Sequence, residues 1–185
     1  MSEPIKDYSN FDKSYFELLE AINLCLEKNY IIPSLCLIYS GIDSIAWVAF
    51  GDIEVKDRFV NFVEQYMYPV KRLNTSSLNL YAARCAILHT MTPNSKLSNN
   101  NKAVPLDYAW GKATIEELEK SNAIIKKGNM SCIHINDLVD SFRLGVGNFY
   151  EIKGKDAACQ KRIKKHYARL SSDLIKNINS NFNEN

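Results

Sequence analysis

The sequence predicts a mainly α protein, a helical bundle with a small two-stranded β appendage. Three observations carry this. Apolar residues recur at intervals of three and four through most of the chain, the period of a helix with one buried face. Residues 31–50 are apolar almost throughout, as expected of a helix that others cover on all sides. Only two short stretches, near 104–110 and 132–135, carry a strand signal. The organisation that follows is a four-helix core over 1–92, a polar loop over 93–102, and the β appendage with C-terminal helices over 103–185, all packed as one domain.

Taken in order, Ser9-Asn10-Phe11-Asp12 has the form of a capping box for the first helix. Phe11, Tyr15, Leu18, Leu19, Ile22, Cys25 and Leu26 make its apolar face. Pro33 falls near the first turn of the second helix, where a missing N–H does no harm. Leu35, Ile38, Tyr39, Ile42, Ile45, Ala46 and Ala49 share one face, widened by Leu37, Gly41 and Val48. Asp43 sits among them, and a carboxylate so placed needs a partner. Asp52 is positioned to cap a third helix bearing Val55, Phe59, Phe62, Val63 and Tyr66, which Pro69 ends. A polar link, 71–77, leads to a fourth helix over 79–90, stopped beyond by Pro93.

Thr92 to Lys102 reads as a polar surface loop, either merely mobile or a lid over a bound strand. Val104, Leu106, Tyr108 and Trp110 then alternate with Pro105, Asp107 and Ala109, which predicts a short edge strand. Thr114 and Glu117 frame a capping box for a helix running to about Lys127. Cys132 to Ile135 predicts a second strand, and Asn136 a cap for a helix carrying Leu138, Val139, Phe142, Val146 and Phe149. The last helix, about 157–179, turns Ile163, Tyr167, Leu170, Leu174 and Ile178 inward.

Composition sets bounds. Hydrophobic content of 46% against 24% charged is that of a globular chain of ordinary kind. A formal net charge of +2 gives no global pull toward nucleic acid, so any such attraction must be local. The 5 cysteines form no Cys-x-x-Cys pair and lie mostly among apolar neighbours, which favours reduced thiols over metal ligands or disulfides. No metal or cofactor is expected. The first residues lack a basic start followed by an apolar core, so no signal peptide is expected and a cytoplasmic location fits. A membrane span over 31–50 would put Asp43 near the bilayer centre, so a buried core helix is the simpler account.

The chemistry centres on Asn79-Leu80-Tyr81-Ala82-Ala83-Arg84-Cys85-Ala86-Ile87-Leu88-His89-Thr90. Arg84 and His89 stand among apolar residues, their side chains roughly 140° apart about the helix axis. A desolvated guanidinium cannot shed its proton, so Arg84 needs an acceptor from another element. Asp43 is the expected partner for Arg84 or His89; Ser, Tyr or backbone groups near it are the alternative. Ala82, Cys85 and Ala86 beneath His89 form a small-residue stripe that another helix could approach.

Arg-x-x-x-x-His late in a helical chain resembles the signature of the HEPN superfamily, here Arg84 and His89. The resemblance extends over about the first half of the chain, including Tyr39-Ser40-Gly41-Ile42-Asp43. It implies a HEPN-like bundle, a homodimer that joins two Arg–His pairs in one cleft, and metal-independent endoribonuclease activity. Arg84 and His89 would be catalytic and Asp43 supporting. The family often places a polar residue directly after the Arg, whereas this chain has Cys85. A toxin or phage-defence role, with an antitoxin or regulatory protein as partner, is likewise implied by the resemblance alone.

Lys161, Arg162, Lys164, Lys165 and Arg169 crowd one side of the last helix with His166. Such a cluster is either a solvated face or an RNA-binding surface. Tyr108 and Trp110 are read as core, with base stacking as the alternative. His134 alternates with isoleucines and has no second ligand at metal spacing. Two other readings stand beside the ribonuclease. One is a non-catalytic HEPN-like module binding RNA, nucleotide or protein; the other is a bundle in which Arg84 and His89 serve packing alone.

Overall fold

A computed structural model describes residues 10–125 and 128–166. Among them are eight α-helices, one π-helical turn and a two-stranded parallel sheet, so the chain is mainly α with a small β element. Ser9 of the expected first cap, and the final helix beyond 166 with Arg169, lie outside the described residues.

The apolar run forms α2, Ile31–Phe50. It packs against the first helix, α1 (Asn10–Glu27), the third, α3 (Val55–Phe62), the fourth, α4 (Ser77–Thr90), the seventh, α7 (Ile135–Lys153), and the eighth, α8 (Ala157–His166). Leu35, Ile38, Ile42, Ile45, Ala46 and Val48 have no appreciable exposure. The helix is long and apolar enough to cross a membrane, and half of its apolar window is buried inside the protein. Gly41 lets α2 approach its neighbours, since a Cβ there would lie 2.7 Å from the Phe142 ring and 2.8 Å from Leu18. Residues of both halves of the chain, from Phe11 to Ile163, enter one apolar cluster.

Asp52 does not cap the third helix, which begins at Val55 with Glu54 at the cap position. The Asp52 carboxylate instead accepts a hydrogen bond from Trp47 Nε1 at 2.8 Å, and that pairing holds it back at the end of α2. The third helix also changes character before Pro69. Val63–Met67 is a π turn, closed by the Tyr68 N–H on the Val63 carbonyl at 2.9 Å. Helical periodicity alone cannot announce such a turn, since it inserts one extra residue into an otherwise continuous pattern. It faces α7 at Gly145, where a Cβ would stand 2.5 Å from Met67 Cγ and 3.0 Å from Met67 Cα.

The loop after α4 is less open than its composition suggests. Ser95 and Ser98 form a reciprocal capping box around a one-turn helix, α5 (Lys96–Asn99). The Val104 N–H then donates to Asn79 Oδ1 at 2.8 Å, which ties the far end of the loop to α4. Strand β1 (Leu106–Ala109) pairs in parallel with β2 (Ser131–His134), Leu106 opposite Ser131 and Ala109 opposite His134. Between them runs α6 (Ile115–Ile124), opened by the expected Thr114–Glu117 capping box. Asn136 is not the cap of α7. That position belongs to His134, whose Nδ1 accepts from the Asn136 N–H at 3.2 Å. The strand therefore runs into the helix with no loop between, and the side chain closing β2 also starts α7.

Candidate functional site

The Ser76 hydroxyl accepts from the Asn79 N–H at 3.1 Å and starts α4. At its other end Met91 adopts a left-handed conformation with φ 52°, which stops the helix just past His89. Arg84 therefore sits within α4 while His89 lies in its last turn, the first half-buried and the second exposed. Their backbone positions diverge about the axis, but the long Arg side chain spans the gap. Nη1 lies 3.4 Å from His89 Nε2.

Asp43 of α2 is the acceptor that Arg84 requires. Nε donates to Asp43 Oδ2 at 2.6 Å, and Nη2 makes an ion pair with the same oxygen. Two of the three guanidinium nitrogens are thus held, and Nη1 is left toward His89, with the Cys85 sulfur at 4.0 Å. The other carboxylate oxygen, Oδ1, is buried without a partner. Burial raises the Asp43 pKa above its ordinary value, and the hydrogen bonds and charge of Arg84, with smaller help from Arg58 and His89, offset only part of that. Burial pulls Arg84 down, but bonding and charge from Asp43 more than compensate, so its net direction is up. Tyr81, one turn before Cys85, is pushed to about 12 by burial and by Cys85.

One cation near this pair was not singled out in the sequence. Arg58 of α3 contributes to the electrostatics of Asp43, and its Nε is buried with no hydrogen-bond partner. A signal existed, since Arg58 lies roughly 40° around the helix from Phe62 and 60° from Val55, on the apolar face rather than the wet one.

The basic candidates of the last helix separate. Lys161, Lys164 and Lys165 are exposed on α8. Arg162 is not available with them. Its Nε donates to the Val48 carbonyl at 2.7 Å and its Nη2 to the Ala49 carbonyl at 2.9 Å, so it closes the C-terminal end of α2. A cation is favoured there by the helix dipole as well as by the unpaired carbonyls. Among the described residues no hydrogen bond or ion pair links α8 to Asp43, Arg84 or His89.

The small-residue stripe is not an open surface. Ala82 and Ala86 are buried inside the single chain, and only Cys85 is part-exposed. Tyr108 is anchored in the interior through a 2.5 Å hydroxyl–hydroxyl contact with Tyr39. Trp110 is 48% exposed and lines an apolar cavity of about 550 Å³ with Ile31, Leu35, Met91, Leu106 and Ile125. Among the described residues no three His, Cys, Asp or Glu side chains gather in a metal-binding arrangement.

No protein-family model matches this chain, and no curated protein or solved structure shows significant similarity to it.

Proposed function

We propose that the protein is a metal-independent endoribonuclease of HEPN type, with Arg84 and His89 at its reactive centre. The observation that carries this reading is the arrangement of a guanidinium fixed by Asp43 through Nε and Nη2, with its remaining nitrogen 3.4 Å from an exposed imidazole nitrogen. RNA supplies its own nucleophile, so the protein needs only a base, an acid and a cation at the scissile phosphate. An imidazole can serve as either base or acid around neutral pH.

In the proposed reaction an imidazole takes the proton of the 2′-hydroxyl as its oxygen attacks phosphorus. The bond from phosphorus to the 5′-oxygen breaks, and that oxygen leaves with a proton from a second donor. The products are a 2′,3′-cyclic phosphate and a 5′-hydroxyl. Arg84 would contact the phosphate through Nη1, the nitrogen that Asp43 leaves free, and oppose the charge that builds on its oxygens. The second donor would be His89 of a symmetry mate, which makes the homodimer part of the proposal, resting on the family resemblance. Cytoplasmic action on RNA and control by an antitoxin or regulatory protein belong to the same reading.

Cleavage of end-labelled RNA in EDTA, with wild type beside His89→Ala and Arg84→Ala, tests it. Cleavage by wild type that falls about 100-fold or more in both folded variants is the expected result. RNA binding without cleavage would replace the enzyme with a binding module of the same architecture. Equal cleavage by all three proteins would mark a contaminant.

A further inference from the structure

Among the described residues, no donor meets one acceptor in the cavity that Trp110 lines. This is Oδ1 of Asn122, an α6 side chain only 7% exposed that lines the same cavity. Asn122 Nδ2 donates to Asp107 Oδ2 at 2.9 Å and to the Cys132 sulfur at 3.4 Å. A carboxylate accepts and does not donate, so the amide cannot be turned round, and Oδ1 is the atom left over. The buried side-chain atoms without a partner are Asp43 Oδ1 and Arg58 Nε, so Asn122 Oδ1 is not sealed off and opens on the cavity. The Asp107 carboxylate lines that space too, and among the described residues no Lys or Arg does. Such an interior disfavours phosphate and suits a flat apolar body edged with N–H donors. Trp110, half-exposed, offers the face on which such a body stacks. The volume of about 550 Å³ falls within the roughly 300–1,000 Å³ of small-ligand sites.

We propose that this cavity is a base subsite, and that it takes a guanine of single-stranded RNA. This rests on the reading of Arg84 and His89 as an RNA site. Ile87 follows Arg84 by three residues on α4, which makes the two neighbours on the helix surface, and Ile87 lines the cavity. A strand with a phosphate at Arg84 therefore has an adjoining base within reach of Trp110. The Watson–Crick edge of guanine carries two adjacent donor groups, N1–H and the N2 amine. Asn122 Oδ1 accepts from one, and the Asp107 carboxylate, which has room for several donors, accepts from the other. Adenine, cytosine and uracil would each bring an acceptor of their own against that wall.

The probes are fluorescent 2′-O-methyl oligouridylates, which cannot cleave themselves, each with one central guanine, hypoxanthine or adenine. They are titrated in EDTA and read by anisotropy. Wild type should bind the guanine probe about 10-fold more tightly than the adenine probe, with hypoxanthine, which lacks the N2 amine, between them. This comparison changes only the base, so folding of a variant does not enter it. Trp110→Ala should weaken the guanine probe about 10-fold and leave the slope of log affinity against log salt unchanged, since no phosphate contact is lost. Trp110→Phe should recover most of the affinity. Asn122→Leu, with its fold checked by thermal unfolding, should bind the guanine and adenine probes alike.

Equal affinity of wild type for the three probes would overturn the inference, as would Trp110→Ala binding like wild type. A wild type that binds no probe would overturn it as well. Free guanosine that binds as tightly as the guanine probe would make the cavity a nucleoside site and remove the strand as the source of the base. The two readings fail separately. A wild type that selects guanine but cleaves no RNA removes the enzyme and leaves the base subsite. A wild type that cleaves while showing no preference among the probes removes the subsite and leaves the enzyme.

Discussion

Arg84 reaches Asp43 through a single carboxylate oxygen: Nε and Nη2 both meet Oδ2, while Oδ1 is buried with no donor. A side-on pair would have used both oxygens and satisfied the acid. This geometry fixes the arginine more fully than it comforts the aspartate, which agrees with the directions of the two pKa shifts. Burial outweighs the pairing at Asp43, whereas at Arg84 the pairing prevails.

The sign for stability follows. The folded state raises the Asp43 pKa above its ordinary 3.8, so it binds that proton more readily than the unfolded chain does. The contribution is fully present below 3.8 and is lost as pH rises through the folded-state value. Asp43→Asn mimics the neutral acid. Urea unfolding should therefore give matching stabilities for variant and wild type at low pH, with the variant equal or ahead at pH 7. Asp43→Ala removes the acceptor altogether and should cost about 3 kcal/mol at pH 7. If Arg84 acts as proposed, Asp43→Asn should also lose ribonuclease activity while keeping its stability. A stability deficit for Asp43→Asn that grows with pH would contradict the burial argument.

Arg162 is predicted to matter for the fold and the α8 lysines for nucleic acid. Replacing Arg162 by Met takes its donors from the Val48 and Ala49 carbonyls, leaving Ala49 only the weak Cys159 thiol, and should cost about 1.5–3 kcal/mol in chemical denaturation. Lys161→Ala and Lys164→Ala should leave stability within about 0.5 kcal/mol. If the exposed lysines touch RNA, those same two changes should weaken the salt dependence of binding.

Gly145→Ala tests the π turn. The added methyl meets both the side chain and the Cα of Met67, and backbone cannot swing aside as a side chain can. Equilibrium unfolding should show a loss of about 1–3 kcal/mol. Gly147, on the same helix, has nothing within 4 Å of such a methyl, so Gly147→Ala should be neutral or slightly stabilising.

His134→Ala should cost about 1 kcal/mol through loss of the α7 cap, and His134→Asn should restore most of it. Thermal unfolding of the three proteins decides the matter. Equal melting temperatures would mean that the hydrogen bond to Asn136 contributes nothing.

Much of this fold was legible in the chain. The capping box of α6, the two short strands flanking it, and the apolar faces of α1, α2 and α7 all follow from local pattern; the parallel direction of the strands came from the structure. Asp43 could be expected to meet Arg84 or His89 because a buried carboxylate needs a partner, and the structure decided for Arg84. Two caps were misplaced for a common reason. Asp52 and Asn136 are both chemically fit to cap, but a near neighbour in the chain took the role or the residue: Trp47 bonds Asp52, and His134 precedes Asn136 at the helix start.

The amino-acid sequence by itself determined which faces are apolar and which side chains cannot be buried alone. That was enough for a mainly helical chain, for α2 at its centre, and for the need to pair Arg84. Only the tertiary structure decided how those needs were met. It spent Arg162 on the carbonyls ending α2, covered Ala82 and Ala86 within the chain, and buried Arg58 Nε without an acceptor. The physical reason is range. Periodicity, caps and turns are set by residues a few positions apart, whereas the partner of a buried charge is chosen among groups that only packing brings together.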